Sequence, residues 1–148
     1  MMTNTLPEKC QAVTAFPAPT PSSTKPLIMV VGADADTRFM LRVILEVWNY
    51  DVMEAETLDA SIAAAASRQP ALILLDGTLC FIDALEDVGR IKRNSDLKNT
   101  PSVLLSGFSQ PNYEDAAISS GASGFMVKPV DFDLLHDHIR TLVDGNLH

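Results

Sequence analysis

The sequence has little of several things. It holds two cysteines, one tryptophan and two tyrosines in 148 residues, and 11 basic residues against 19 acidic ones. Each shortage removes a class of protein. Cys10 and Cys80 alone make no disulfide scaffold, which fits a reducing compartment. A net charge of −8 disfavours a nucleic-acid surface, which needs clustered lysine and arginine. The longest apolar runs, LIMVV and ALILL, are strand-length, far short of the roughly 18 apolar residues of a membrane span. The N-terminal residues lack the basic start and apolar block of a secretory leader, so a cytoplasmic protein is expected, with neither membrane nor nucleic acid as partner. The first strand-to-helix turn, IMVVGADADTR (28–38), has neither G-x-G-x-x-G nor G-x-x-x-x-G-K-[ST], and two acids there repel a pyrophosphate, so it is no phosphate cradle.

What is present is regular punctuation. Residues 1–25 carry Pro7, Pro17, Pro19 and Pro21 among Ser and Thr with no period, and read as a disordered tail. Residues 26–148 read as one domain. Strands are expected at 27–31, 50–56, 71–75, 101–106 and 124–127, and helices at 38–48, 58–68, 84–93, 112–120 and 131–143. Asp36 is the expected cap of the first helix, and Phe39, Val43 and Leu45 or Val47 share one of its faces. Gly121 is expected to cap the fourth helix, and Gly145 to stop the last. Continuous apolar strands alternating with helices predict a flavodoxin-like α/β fold: a doubly wound, five-stranded parallel sheet in a three-layer α/β/α domain.

In such sheets chemistry gathers where the strands end. Those positions are Gly32–Asp36, Asp76–Thr78, Ser106–Gly107 and Lys128–Pro129. A carboxylate, a hydroxyl and an ammonium at one crevice suit phosphoryl chemistry. The aspartate is the nucleophile, the lysine neutralises developing charge and the hydroxyl donates to a phosphate oxygen. Singly, each has a plainer reading: Asp76 as a loop cap, Ser106 bonded to backbone, Lys128 solvated. Their shared rim favours the chemical one.

Three segments carry a family resemblance. PALILLDGTL (70–79), PSVLLSG (101–107) and SSGASGFMVKPVD (119–131), in this order, resemble the receiver domain of bacterial two-component response regulators. The resemblance implies that Asp76 is the phosphoacceptor, with Ser106 and Lys128 as its hydroxyl and lysine partners. It implies a Lys128–Pro129 bond that is commonly cis, and a Mg²⁺ held by Asp76, a strand-one carboxylate and the carbonyl of Thr78. It also implies a histidine kinase or phosphotransfer protein as donor and a downstream protein as target, with a homodimer open to it. The last expected helix lies close to the chain's end, so a stand-alone phosphorelay receiver, not an enzyme, is expected.

One departure stands out. The family's strand one ends in two adjacent acids, and here those positions are Gly32 and Ala33. Asp34, one residue later, is the sole replacement ligand at that turn. Two readings stay open: a receiver phosphorylated on Asp76, or a pseudo-receiver that binds proteins independently of phosphorylation and keeps Asp76 and Lys128 as an ion pair. Phe125 falls where the family often places a switching aromatic, and also suits a core. Cys80 stands where the family frequently has proline. His136 and His138, two apart on one helix, do not share a face and are expected to be solvated. Trp48 is expected to be core or half-buried.

Overall fold

The computed structural model describes residues 24–77, 80–108 and 110–146. Five strands, β1 (Leu27–Val31), β2 (Asp51–Ala55), β3 (Leu72–Asp76), β4 (Ser102–Ser106) and β5 (Gly124–Val127), alternate with five helices. The helices are α1 (Ala35–Val47), α2 (Leu58–Ala65), α3 (Phe81–Arg93), α4 (Tyr113–Ser120) and α5 (Phe132–Asn146). Every strand pair is parallel, in the order β2-β1-β3-β4-β5. The winding reverses between β1 and β3, and the carboxyl ends of those two strands border the crevice that this reversal opens.

The strand sequences explain the layers. Ile28 and Val30 of β1 face a core shared with α1 and α5, which includes Leu41, Leu45, Leu135 and Ile139. Met29 and Val31 face the other core, with Leu58 of α2, Val88 and Ile91 of α3 and Ala117 of α4. Neighbouring residues of one strand point to opposite faces, so a strand covered on both sides reads as an unbroken apolar run. No helix of the described residues is long and apolar enough to cross a membrane.

The elements fall where the sequence places them; their ends do not always. α1 starts at Ala35, and its cap is Asp34, not Asp36: Asp34 has extended backbone, and its Oδ1 accepts from the Asp36 amide at 3.3 Å. Asp36 sits inside the first turn, where its charge suits the helix dipole. α3 starts at Phe81 rather than 84. Gly121, with φ +119°, closes α4 as expected, whereas α5 runs through Gly145 to Asn146. On α1 the buried face is Arg38, Leu41 and Leu45; Phe39, Val43 and Val47 face solvent. This helix is apolar on two faces: Phe39, Val43 and Val47 do share one, turned to solvent, while Leu45 belongs to the buried one. His136 is not solvated: its ring stacks on Trp48 at 4.1 Å between centroids. His138 is half-buried and lies against Gly124. Phe125 packs edge-on against Phe81. The expected tail at 1–25 lies outside the described residues except for Thr24 and Lys25.

Candidate functional site

Asp76 is the last residue of β3, and Lys128 follows β5. Backbone bonds hold both at one rim. Gly77 N donates to Leu105 O at 2.7 Å, and Lys128 N donates to Ser106 O at 2.8 Å, so β3 and β5 both end against β4. The Lys128–Pro129 peptide is cis. Lys128 Nζ lies 3.1 Å from Asp76 Oδ2, with the Asp76 side chain only 5% exposed and that of Lys128 21%. Ser106 sits on the intervening strand and is fully buried. Its hydroxyl accepts from Phe108 N at 3.1 Å and donates to Phe108 O at 2.9 Å. The hydroxyl thus ties the turn after β4 while its residue keeps the shared rim. Cys80 is exposed at the head of α3.

The edge of β1 is built without acids. A Cβ added at Gly32 would stand 2.8 Å from Asp76 Cβ, a separation real Cβ atoms do not adopt. Glycine is therefore needed at this close approach of β1 to the acidic side chain of β3. Gly32 O accepts from Arg38 Nη1 at 2.6 Å. Arg38 is 4% exposed, and its Nε lies 3.2 Å from Glu54 Oε1, while Arg42 Nη1 reaches Glu54 Oε2 at 2.7 Å. This buried Arg38–Glu54–Arg42 cluster fixes the turn after β1, and sequence reasoning missed it. Its signal was present: Arg38 opens the i, i+3, i+7 series that continues through Leu41 and Leu45, so an arginine stands on a core-facing stripe.

A cavity of about 570 Å³ opens beside Asp76 and reaches along α2 and α3, past Asp34, Glu56, Asp59 and Asp87. Arg90 bridges its far wall, pairing with Asp59 and lying 3.6 Å from Asp87. Burial pushes the Asp87 carboxyl up from its ordinary value.

The resemblance implies a Mg²⁺ here, and the donor set among the described residues does not fit one. Mg²⁺ demands hard oxygens in near-octahedral array. Gly32 and Ala33 offer no side-chain oxygen. Asp76 is engaged by Lys128. Both oxygens of Asp34 serve the first turn of α1: Oδ2 accepts from Thr37 Oγ1 at 2.6 Å and Oδ1 from the Asp36 amide. Thr78 lies outside the described residues. Among the described residues no three His, Cys, Asp or Glu side chains are grouped to hold a metal.

The Asp34 cap carries a testable pH signature. The Thr37 hydroxyl, then the backbone amides, hold this carboxyl below its ordinary value of 3.8. The folded state thus favours the ionised form, and that contribution is present above pH 3.8 and lost as pH falls through the lower, folded value. Asp34→Asn keeps a capping oxygen without the titration. Its acid unfolding, followed by circular dichroism, is expected to be shallower than that of the unaltered chain below pH 3.8, and at neutral pH the variant is expected to be slightly less stable, because Asn offers one acceptor oxygen where Asp34 uses two.

Comparison with known proteins gives the family and the fold. Residues 28–140 match the family described as the response regulator receiver domain. The chain is 30% identical over 102 residues to the phosphate regulon transcriptional regulatory protein PhoB of Pseudomonas aeruginosa, covering 69% of this chain and 44% of that protein. It is 32% identical over 113 residues to the KDP operon transcriptional regulatory protein KdpE of Escherichia coli, covering 76% and 49%. The chain thus spans less than half the length of these two relatives. A response regulator from Thermotoga maritima superimposes with a TM-score of 0.73 at 19% identity, over 81% of this chain and 98% of that one, and this likeness speaks for the fold alone. With the motifs of its third, fourth and fifth strands meeting at one rim and the family matched across residues 28–140, the chain belongs to the response regulator receiver domain family of two-component signalling.

Proposed function

We propose that this chain is a receiver module that signals by protein contact without metal-assisted phosphoryl transfer, and that the Asp76–Lys128 ion pair is a fixed strut of its fold. The observation that carries this reading is the β1 edge. Gly32 leaves no room for a side chain beside Asp76, Ala33 has no donor, and Asp34 is engaged as a helix cap. A receiver phosphorylates itself from a donor, with a divalent cation offsetting charge on the phosphoryl oxygens. Without the carboxylates that draw the cation in, that offset falls to Lys128 alone, which already neutralises Asp76. The partners on this reading are proteins: a kinase or phosphotransfer protein that docks without transfer, and a downstream target.

A second reading is phosphoryl acceptance on Asp76 from a histidine kinase or phosphotransfer protein. It is favoured by the 3.1 Å approach of Lys128 to Asp76 and by the buried Ser106 on the next strand. Incubation with acetyl phosphate and Mg²⁺, read by intact mass, separates the two. The first reading expects no added phosphoryl group. A Mg²⁺-dependent adduct, lost in Asp76→Asn, establishes the second.

A further inference from the structure

α1 turns an apolar stripe to solvent. Phe39, Val43 and Val47 are 65%, 45% and 71% exposed, and Met40 beside them is 40% exposed. Scattered apolar residues on a surface need no explanation, but four on one helix face do. The stripe takes no part in the core, which α1 reaches through Leu41 and Leu45. Its ionised neighbours are Asp36 and Glu46, exposed near opposite ends of the helix, and the half-buried Arg42, whose Nε lies 3.3 Å from Glu46 Oε2.

We propose that this stripe docks on the same stripe of a second copy, with the two α1 helices antiparallel about a twofold axis at Val43. The proposal is independent of whether Asp76 is phosphorylated. Three observations carry it. First, the stripe matches itself: Phe39 and Val47 lie four residues to either side of Val43, so the axis lays Phe39 of each copy on Val47 of the other. A twofold interface requires this self-complementarity. Second, charge selects the direction. In a chain of net charge −8, parallel helices would stack Asp36 on Asp36 and Glu46 on Glu46. Antiparallel helices place Glu46 beside Met40 of the other copy and Asp36 beyond the facing helix, and their dipoles oppose favourably. Third, the area sets the strength. With about 150–250 Å² for a whole aromatic side chain, the four side chains offer about 300–400 Å² per copy. That is about half of the roughly 800 Å² per partner of a stable complex. The dimer is therefore weak and reversible.

Sedimentation equilibrium of the full chain from about 1 to about 500 µM tests this. A reversible monomer–dimer equilibrium is expected. Val43→Glu, which sets two carboxylates face to face at the axis, weakens it at least about tenfold, while Ile118→Glu on α4 leaves it unchanged. All these positions face solvent, and circular dichroism checks that each variant stays folded. Met40→Lys faces Glu46 of the second copy and dimerises more tightly than Met40→Glu, while Ile118→Lys and Ile118→Glu do not differ. Three results overturn the proposal. One is a monomer across the whole range, including one with nuclear Overhauser contacts from residues 1–23 to Phe39 and Val47, which assigns the face to that segment. Another is a dimer sensitive to Ile118→Glu but not to Val43→Glu. The last is a reversed order of the two Met40 variants.

Discussion

Replacing Lys128 with Met is expected to destabilise the domain by about 2–3 kcal/mol in urea unfolding. Methionine keeps the length and apolar stem of lysine and removes only the ammonium. Asp76 then keeps a carboxylate that is 5% exposed and has lost the cation 3.1 Å away. Breaking a fully buried pair by removing one partner costs about 3–5 kcal/mol. The figure here is lower because the Lys128 side chain is 21% exposed, and water screens part of the interaction. Asp76→Asn in the same background removes the buried charge, so the double variant is expected to recover at least about half of the loss. Equal stability of Lys128→Met and the unaltered chain would show that the pair is no strut.

Gly32→Asp is the second large effect, and its sign is not intuitive. It restores one of the acids the family carries at the end of strand one, yet it is expected to cost about 2–3 kcal/mol, the upper range for overpacking. The new Cβ must occupy space 2.8 Å from Asp76 Cβ. Gly32→Ala separates sterics from charge: it is expected to lose most of the same stability, because the offending atom is the Cβ itself. The added carboxylate then contributes a smaller like-charge term beside Asp76. Ala33→Asp, on an exposed residue lining the cavity, is expected to change stability little. Thermal unfolding of the three variants checks the order. A Gly32→Asp protein as stable as the unaltered chain would mean that the strand ends part easily and that steric exclusion is not what keeps an acid out.

Much of this was legible in the sequence, for reasons that can be named. LIMVV and ALILL are buried on both faces, so their unbroken apolarity declared a parallel sheet. Asp76 ends one strand of that sheet and Lys128 follows another, and their meeting follows from topology once β3, β4 and β5 are neighbours. The missing acids were legible as letters, but their physical consequence was not. That glycine is sterically required at 32 depends on how closely β1 approaches β3, a tertiary distance with no sequence signal. The role of Asp34 was equally hidden, because Asp34 and Asp36 are both good caps and only backbone geometry chooses between them. α1 misled most. Its apolar residues support two helical faces, and the buried one is recognised only by accepting Arg38 on it, paired with Glu54 from β2. The stacking of His136 on Trp48 joins α5 to the end of α1, and no local pattern connects residues so far apart.

The most direct test of the metal-free strut is a Mg²⁺ titration of the intact chain, followed through the backbone amides of Gly32, Ala33 and Gly77 by nuclear magnetic resonance. These amides flank Asp76, and any cation bound to its carboxylate must move them. The account predicts only small, non-saturating drifts that other divalent salts reproduce. A saturating shift confined to these amides, abolished in Asp76→Asn, would contradict it and return the chain to the phosphorylated receivers.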